Sequence, residues 1–129
     1  MLGEDWLLYT PPSPSFTDVN PGDWHYAYIE TAVSHGVVSG YPDGTFRPNN
    51  SVTRGQLAKM IVLASALLIY TPPTPSFIDV PPTHTFYVYI ETARYYGLIS
   101  GYGDGTYRPN YNATRGQLCK ILYIALTRN

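Results

Sequence analysis

The chain has 129 residues, with 8 Lys+Arg against 9 Asp+Glu and a net charge of −1, a length that suits one compact domain or two small repeats with a modest core. That balance excludes the basic stripe of a nucleic-acid binder, and a hydrophobic content of 44% excludes a charged, structureless tail. The longest apolar run, Met60 to Tyr70 broken by Ser65, falls far short of the ~20 residues a membrane span requires.

The first residues, Met1-Leu2-Gly3-Glu4-Asp5-Trp6, are acidic and lack the basic and apolar regions of a signal peptide. Export before this numbering begins, a mature form, or a fragment would each account for that. Trp6-Leu7-Leu8 is an apolar tag, expected to dock either on a neighbouring copy or on its own first repeat. Tyr9-Thr10-Pro11-Pro12 then opens a unit that returns as Tyr70-Thr71-Pro72-Pro73. A shift of about 61 residues aligns the rest without a gap, with about 33 of 60 positions identical. The reading is therefore a leader and proline arm over 1–15, a first repeat over 16–69, and an arm with a second repeat over 70–129. The 12 prolines make these arms semi-rigid connectors. The 13 tyrosines, apolar rings with polar tips, suit half-buried surfaces, sugar stacking and subunit contacts.

Within each unit, Phe16-Thr17-Asp18-Val19 or Phe77-Ile78-Asp79-Val80 leads into a first helix, expected near 25–35 and 86–96. Tyr26, Ile29, Ala32 and Val33 mark its buried face, and Gly36 or Gly97 ends it in a left-handed conformation. Val37 to Tyr41 and Leu98 to Tyr102 read as short extended pieces, and Asp43-Gly44 and Asp104-Gly105 as tight turns closed by Pro48 and Pro109. A second helix is expected over 53–68 and 114–127. Thr53-Arg54-Gly55-Gln56 and Thr114-Arg115-Gly116-Gln117 fit a capping box at its start. The fold class is mainly α, built of tandem helix–loop–helix repeats with short extended and turn segments, and one unit alone buries too little to stand by itself.

Phe16-x-Asp18-Val19, Trp24, Ile29, Gly36, Gly40-Tyr41-x-Asp43-Gly44-Thr45-Phe46-x-Pro48 and Thr53-Arg54, with their second copies through Thr114-Arg115, resemble the S-layer homology repeat. The resemblance covers nearly the entire chain. It implies a mostly helical fold, an extracellular place at the cell surface, cell wall or S-layer, and non-covalent anchoring to an acidic, often pyruvylated, cell-wall polysaccharide. The chain departs from the family in three ways. Thr-Arg-Gly-Gln stands twice where Thr-Arg-Ala-Glu is common, Trp24 is matched by Thr85, and two repeats stand where three often combine.

Candidate polysaccharide-binding residues are Arg54, Arg115, Trp24, Thr53, Thr114, Asp18 and Asp79. Arg54 and Arg115 begin helices, where backbone amides attract anions and a guanidinium can grip a carboxylate. Tying loops together through carbonyls is the other reading of both arginines. Asp18 and Asp79 sit where turn or cap hydrogen bonds are expected. Arg47 and Arg108 are expected to pair with acids of a neighbouring repeat, Glu30 and Glu91 among them. His25 and His35 become Phe86 and Tyr96 in the second copy, so no metal site or cofactor is expected. No nucleophile pattern points to an enzyme. Cys119, which replaces Ala58, reads as a packed thiol, and Asn49 and Asn112 lie in glycosylation sequons. Two functions follow: a wall-binding module, or a subunit that self-assembles into a homo-oligomer through head-to-tail contacts of Trp6, Leu7 and Leu8.

Overall fold

A computed structural model describes residues 7–127. They contain four helices, α1 (Tyr26–Ser34), α2 (Arg54–Ala64), α3 (Tyr87–Tyr95) and α4 (Arg115–Thr127), and two short strands, β1 (Ser51–Thr53) and β2 (Asn112–Thr114), paired in one sheet. The fold is mainly α, as expected. The strands lie beyond Pro48 and Pro109 and not at 37–41 or 98–102, because there the chain turns back on itself. Tyr41 N–H donates to the Thr45 carbonyl and Tyr102 N–H to that of Thr106, each at 2.8 Å.

Three helix ends share one geometry. After α1, Gly36 takes φ +73°, its N–H donates to Val33, and Val37 N–H donates to Ala32. Gly97 and Leu98 end α3 in the same way, the paired bonds of a Schellman stop. The same stop closes α2 at Ala64, short of the expected residue 68. Ala66 adopts φ +53° and donates to Leu63, and Leu67 N–H donates to Val62. Leu67 then turns inward to pack on a buried cluster, which offsets the strain of a left-handed alanine.

The chain divides into two compact units, and the division cuts across the sequence repeats. The first comprises residues 1–51 with 114–129, the second Val52–Ala113. In the first, α1 packs on α4; in the second, α3 packs on α2. Each unit thus combines the first helix of one repeat with the second helix of the other.

The second unit's core joins Ala58 and Val62 of α2, Phe77 and Val80, Tyr87, Ile90 and Ala93 of α3, and Tyr107. Their counterparts in the first unit, Cys119, Val19, Tyr26, Ile29, Ala32 and Phe46, are likewise buried. Full burial of one such side chain contributes about 1.5–3 kcal/mol. Burial pushes the Cys119 thiol up to about 12, so it packs as an inert small residue.

The proline arms dock on polar groups of the first helices. Tyr9 N–H donates to Thr31 Oγ1 (2.8 Å), and Ser15 donates through N–H and Oγ to Glu30 (2.8 and 2.6 Å). Tyr70 with Thr92 and Ser76 with Glu91 repeat this in the second unit. Buried Glu30 and Glu91 are therefore arm anchors. The expectation that they pair with Arg47 and Arg108 is overturned, because an arm serine fills each carboxylate.

Candidate functional site

Both capping boxes form. Gln56 N–H donates to Thr53 Oγ1 (3.1 Å) while Thr53 N–H donates to Gln56 Oε1 (2.9 Å), and Thr114 with Gln117 matches those distances. Glutamine keeps the cap without the charge of glutamate. The remaining amides of the first turn are also engaged. Arg54 and Gly55 N–H donate to the carbonyls of Tyr111 and Pro109, and Arg115 and Gly116 N–H to those of Asn50 and Pro48, at 2.8–2.9 Å. The expected anion site of open helix amides is thus filled by loop carbonyls.

Arg54 Nε donates to Tyr107 O (2.8 Å) and Nη2 to Ser100 O (2.9 Å). Arg115 makes the same pair of bonds to Phe46 O (3.0 Å) and Ser39 O (2.8 Å). Both arginines thus tie loops together through their Nε and Nη2 atoms. Asp18 accepts from Phe46 and Arg47 N–H, and Asp79 from Tyr107 and Arg108 N–H, all at 2.8 Å. One peptide in each unit is thereby held from both sides: Asp18 and Arg115 grip Phe46, while Asp79 and Arg54 grip Tyr107. The acid and the arginine come from different sequence repeats. The Tyr107 hydroxyl donates to Arg54 O at 2.9 Å, and burial pushes its pKa up to about 12.

Each loop carries a second arginine, in strained backbone. Arg47 and Arg108 have φ +59° and +60°, unusual for a side-chain-bearing residue and more so before proline. They pair within their own loop, to Asp43 at 3.2 Å and Asp104 at 3.1 Å, rather than with a neighbouring repeat. Four residues' separation puts acid and base together on the turn. The Thr45 hydroxyl first, then its backbone N–H and Arg47, hold the Asp43 carboxyl below the usual carboxylate range. Thr106 and Arg108 do the same for Asp104.

The guanidinium of Arg47 lies 3.7 Å from the Tyr41 ring centroid, and that of Arg115 lies 5.1 Å from it. Tyr102 has Arg108 at 3.7 Å and Arg54 at 5.0 Å, and half-exposed Tyr111 stands 5.3 Å from Arg108. Each unit so presents a tyrosine flanked by two arginines, a surface suited to an acidic sugar. The stacking of Arg47 on Tyr41 and of Arg108 on Tyr102 was missed in the sequence, although the fixed spacing of these residues in both copies signals it.

Trp24 is 57% exposed, with its ring 5.0 Å from that of His25. His25 in turn packs on Gly116 at the start of α4, which puts Trp24 at that end of the first unit. Leu7 and Leu8 are exposed, Leu7 by 78%; Trp6 lies outside the described residues. Asn49 and Asn112 are both exposed. Among the described residues, no three His, Cys, Asp or Glu side chains gather where they could hold a metal ion, and no helix is long and apolar enough to cross a membrane.

Paired helix–loop–helix repeats with twin arginine–tyrosine loops define a repeat-built, mainly helical module. The S-layer homology domain family matches residues 15–58 and 76–119, and the chain belongs to that family. It is 30% identical over 138 residues to cell surface glycoprotein 1 of Acetivibrio thermocellus, covering 99% of this chain and 6% of that protein. It is also 30% identical over 120 residues to the cellulosome-anchoring protein of the same organism, covering 90% of this chain and 27% of the relative. Outer membrane protein SlpA of Deinococcus radiodurans is 47% identical over 51 residues, 40% of this chain and 4% of SlpA. The chain spans only a small part of each relative's length. Membership places it among proteins of the cell surface and S-layer.

Proposed function

We propose that the chain is a non-enzymatic, extracellular wall-anchoring module that holds an acidic cell-wall polysaccharide at its arginine–tyrosine loops. The observation that carries this reading is the doubled cluster: Arg115 and Arg47 about Tyr41, and Arg54, Arg108 and Tyr111 about Tyr102. Aromatic faces stack on sugar rings, and flanking guanidinium groups favour a carboxylate or ketal-linked pyruvate. The anchoring named for one relative supports the same role here. Thr53, Thr114, Asp18 and Asp79 act by holding the loops in shape, and exposed Trp24 offers one further sugar platform in the first unit only.

Co-sedimentation with purified acidic wall polysaccharide tests this. The wild-type chain should pellet with the polymer, and a folded Tyr41→Ala, Tyr102→Ala double variant should stay in solution. Removing the polymer's acidic groups should release the wild type. Undiminished pelleting of the variant, or of wild type with neutralised polymer, overturns the reading.

The second function, self-association, gains support from the exposed apolar side chains of Leu7 and Leu8 at the start of the first arm. Light scattering of the purified chain across a concentration series tests it: growth in mass supports it, and a constant monomer mass refutes it.

A further inference from the structure

We propose that Tyr111 gives the second unit's loop a sugar-reading position that the first unit's loop lacks: it stacks on the pyranose ring of the same acidic sugar whose acid group Arg108 holds. The inference rests on the anchoring reading and deepens it, naming the ring face of the sugar as what this loop recognises beside the charge.

The repeats put Asn50 where the second copy has Tyr111, and the backbone at the two places is held alike. Asn50 N–H donates to Arg47 O and Tyr111 N–H to Arg108 O, each at 3.1 Å. Asn50 O accepts from Arg115 N–H and Tyr111 O from Arg54 N–H, each at 2.8 Å. A position fixed on both sides by main-chain bonds presents whatever side chain it carries at a set place on the loop. In one unit that side chain is a short amide, in the other an aromatic ring.

The ring stands where it can serve a ligand. The Arg108 guanidinium lies 3.7 Å from the Tyr102 centroid and so covers part of that ring. Tyr111 is 5.3 Å from the same guanidinium and is 56% exposed, against 38% for Tyr102. The two rings are 6.4 Å apart with their planes at 58°, so Tyr111 offers an open surface beside the cation. Arg108 is also the less exposed arginine, its side chain at 31% against 42% for Arg47, and a less exposed charge is screened less by salt.

An acidic pyranose carries an apolar C–H face and, at its edge, an anionic group. The face suits an aromatic ring, and the anion suits a guanidinium. Tyr111 and Arg108 side by side meet both parts of one sugar. The first loop meets the anion through Arg47 on Tyr41, with no ring at residue 50. Trp24, the exposed ring of that unit, lies against His25.

An NMR titration of the full chain with acidic oligosaccharides released from the purified wall polysaccharide tests this. The amides of Gly44 and Gly105 donate to Tyr41 O and Tyr102 O and report the two loops separately. Tyr111→Asn, which copies residue 50, should raise the half-saturating concentration at Gly105 about tenfold and leave Gly44 unchanged. Asn50→Tyr should lower it at Gly44, a gain that damaged folding cannot produce. Tyr111→Phe should match wild type, because the ring and not the hydroxyl stacks. Equal half-saturation at Gly105 in wild type and folded Tyr111→Asn overturns the proposal, and so does the absence of any gain from Asn50→Tyr. If the Tyr41→Ala, Tyr102→Ala variant still loses the polymer in either case, anchoring stands and only the role of Tyr111 fails. Oligosaccharide that shifts neither glycine in wild type overturns both.

Discussion

Gly116 lies directly against the His25 ring: a Cβ added at residue 116 would sit 2.9 Å from the imidazole Cδ2. The second unit repeats the contact between Gly55 and Phe86, where the added Cβ would come within 2.5 Å of the ring. The glycine that departs from the family's Thr-Arg-Ala pattern is therefore a packing requirement. An aromatic ring at the entry to one helix fills the space that a methyl group would need in the first turn of the other.

Gly55→Ala and Gly116→Ala should both lower the thermal midpoint. Helix propensity alone favours alanine by about 1 kcal/mol, so a stabilised variant in a thermal melt would contradict the contact. Gly55→Ala should be the worse, because the clash with Phe86 is the closer one.

His25→Phe should raise stability. His25 is buried, and its Nδ1 finds no hydrogen-bond partner among the described residues; an unsatisfied buried polar atom costs about 1–3 kcal/mol. Phenylalanine already occupies the matching place on Gly55. Chemical denaturation should show a higher midpoint with an unchanged slope.

Double-mutant cycles should follow the units rather than the repeats. Asp79→Asn paired with Arg54→Lys should couple by about 0.5 kcal/mol or more, because both hold the Tyr107 peptide. Asp18→Asn with Arg115→Lys should couple likewise through Phe46. Asp18→Asn with Arg54→Lys, both in the first sequence repeat, should be additive. Coupling of that last pair in place of the first two would overturn the assignment of helices to units.

Stability should fall in acid through the loop turns. The carboxyls of Asp43 and Asp104 are held below their ordinary value, so they favour the folded state above about pH 4. That contribution is lost as pH falls through the lowered values. The thermal midpoint of an Asp43→Asn, Asp104→Asn double variant should start lower at neutral pH and depend less on pH below about 4. A melt series showing identical pH slopes for variant and wild type would argue against this.

The fragment 52–113 should fold by itself, because it holds α2, α3 and the whole of one buried cluster. The fragment 9–68, a complete repeat by sequence, should not, since α4 is missing from its first unit. Circular dichroism with cooperative melting of 52–113 and a flat trace for 9–68 is the expected outcome.

The features legible in the residue order were local ones. Helix positions follow from apolar spacing, the stops from Gly36 and Gly97, the starts from the Thr–Gln caps, and the repeat from simple self-alignment. These depend on neighbours within a few residues, which the sequence displays directly. The end of α2 was misread because Leu67, Leu68 and Ile69 continue the apolar run, while Leu67 leaves the helix to fill a core that local pattern does not reveal.

Which helix closes which loop was decided by tertiary structure alone. Thr53-Arg54-Gly55-Gln56 and Thr114-Arg115-Gly116-Gln117 are the same four residues, so each could sit on either seat. The short connection from α2 into the arm of α3 settles the pairing in the second unit, and α4 takes the seat that remains. The role of Arg54 and Arg115 has the same origin. A guanidinium at a helix start can reach many carbonyls, and only the chain folded opposite it, Ser100 and Tyr107 or Ser39 and Phe46, determines which ones it meets.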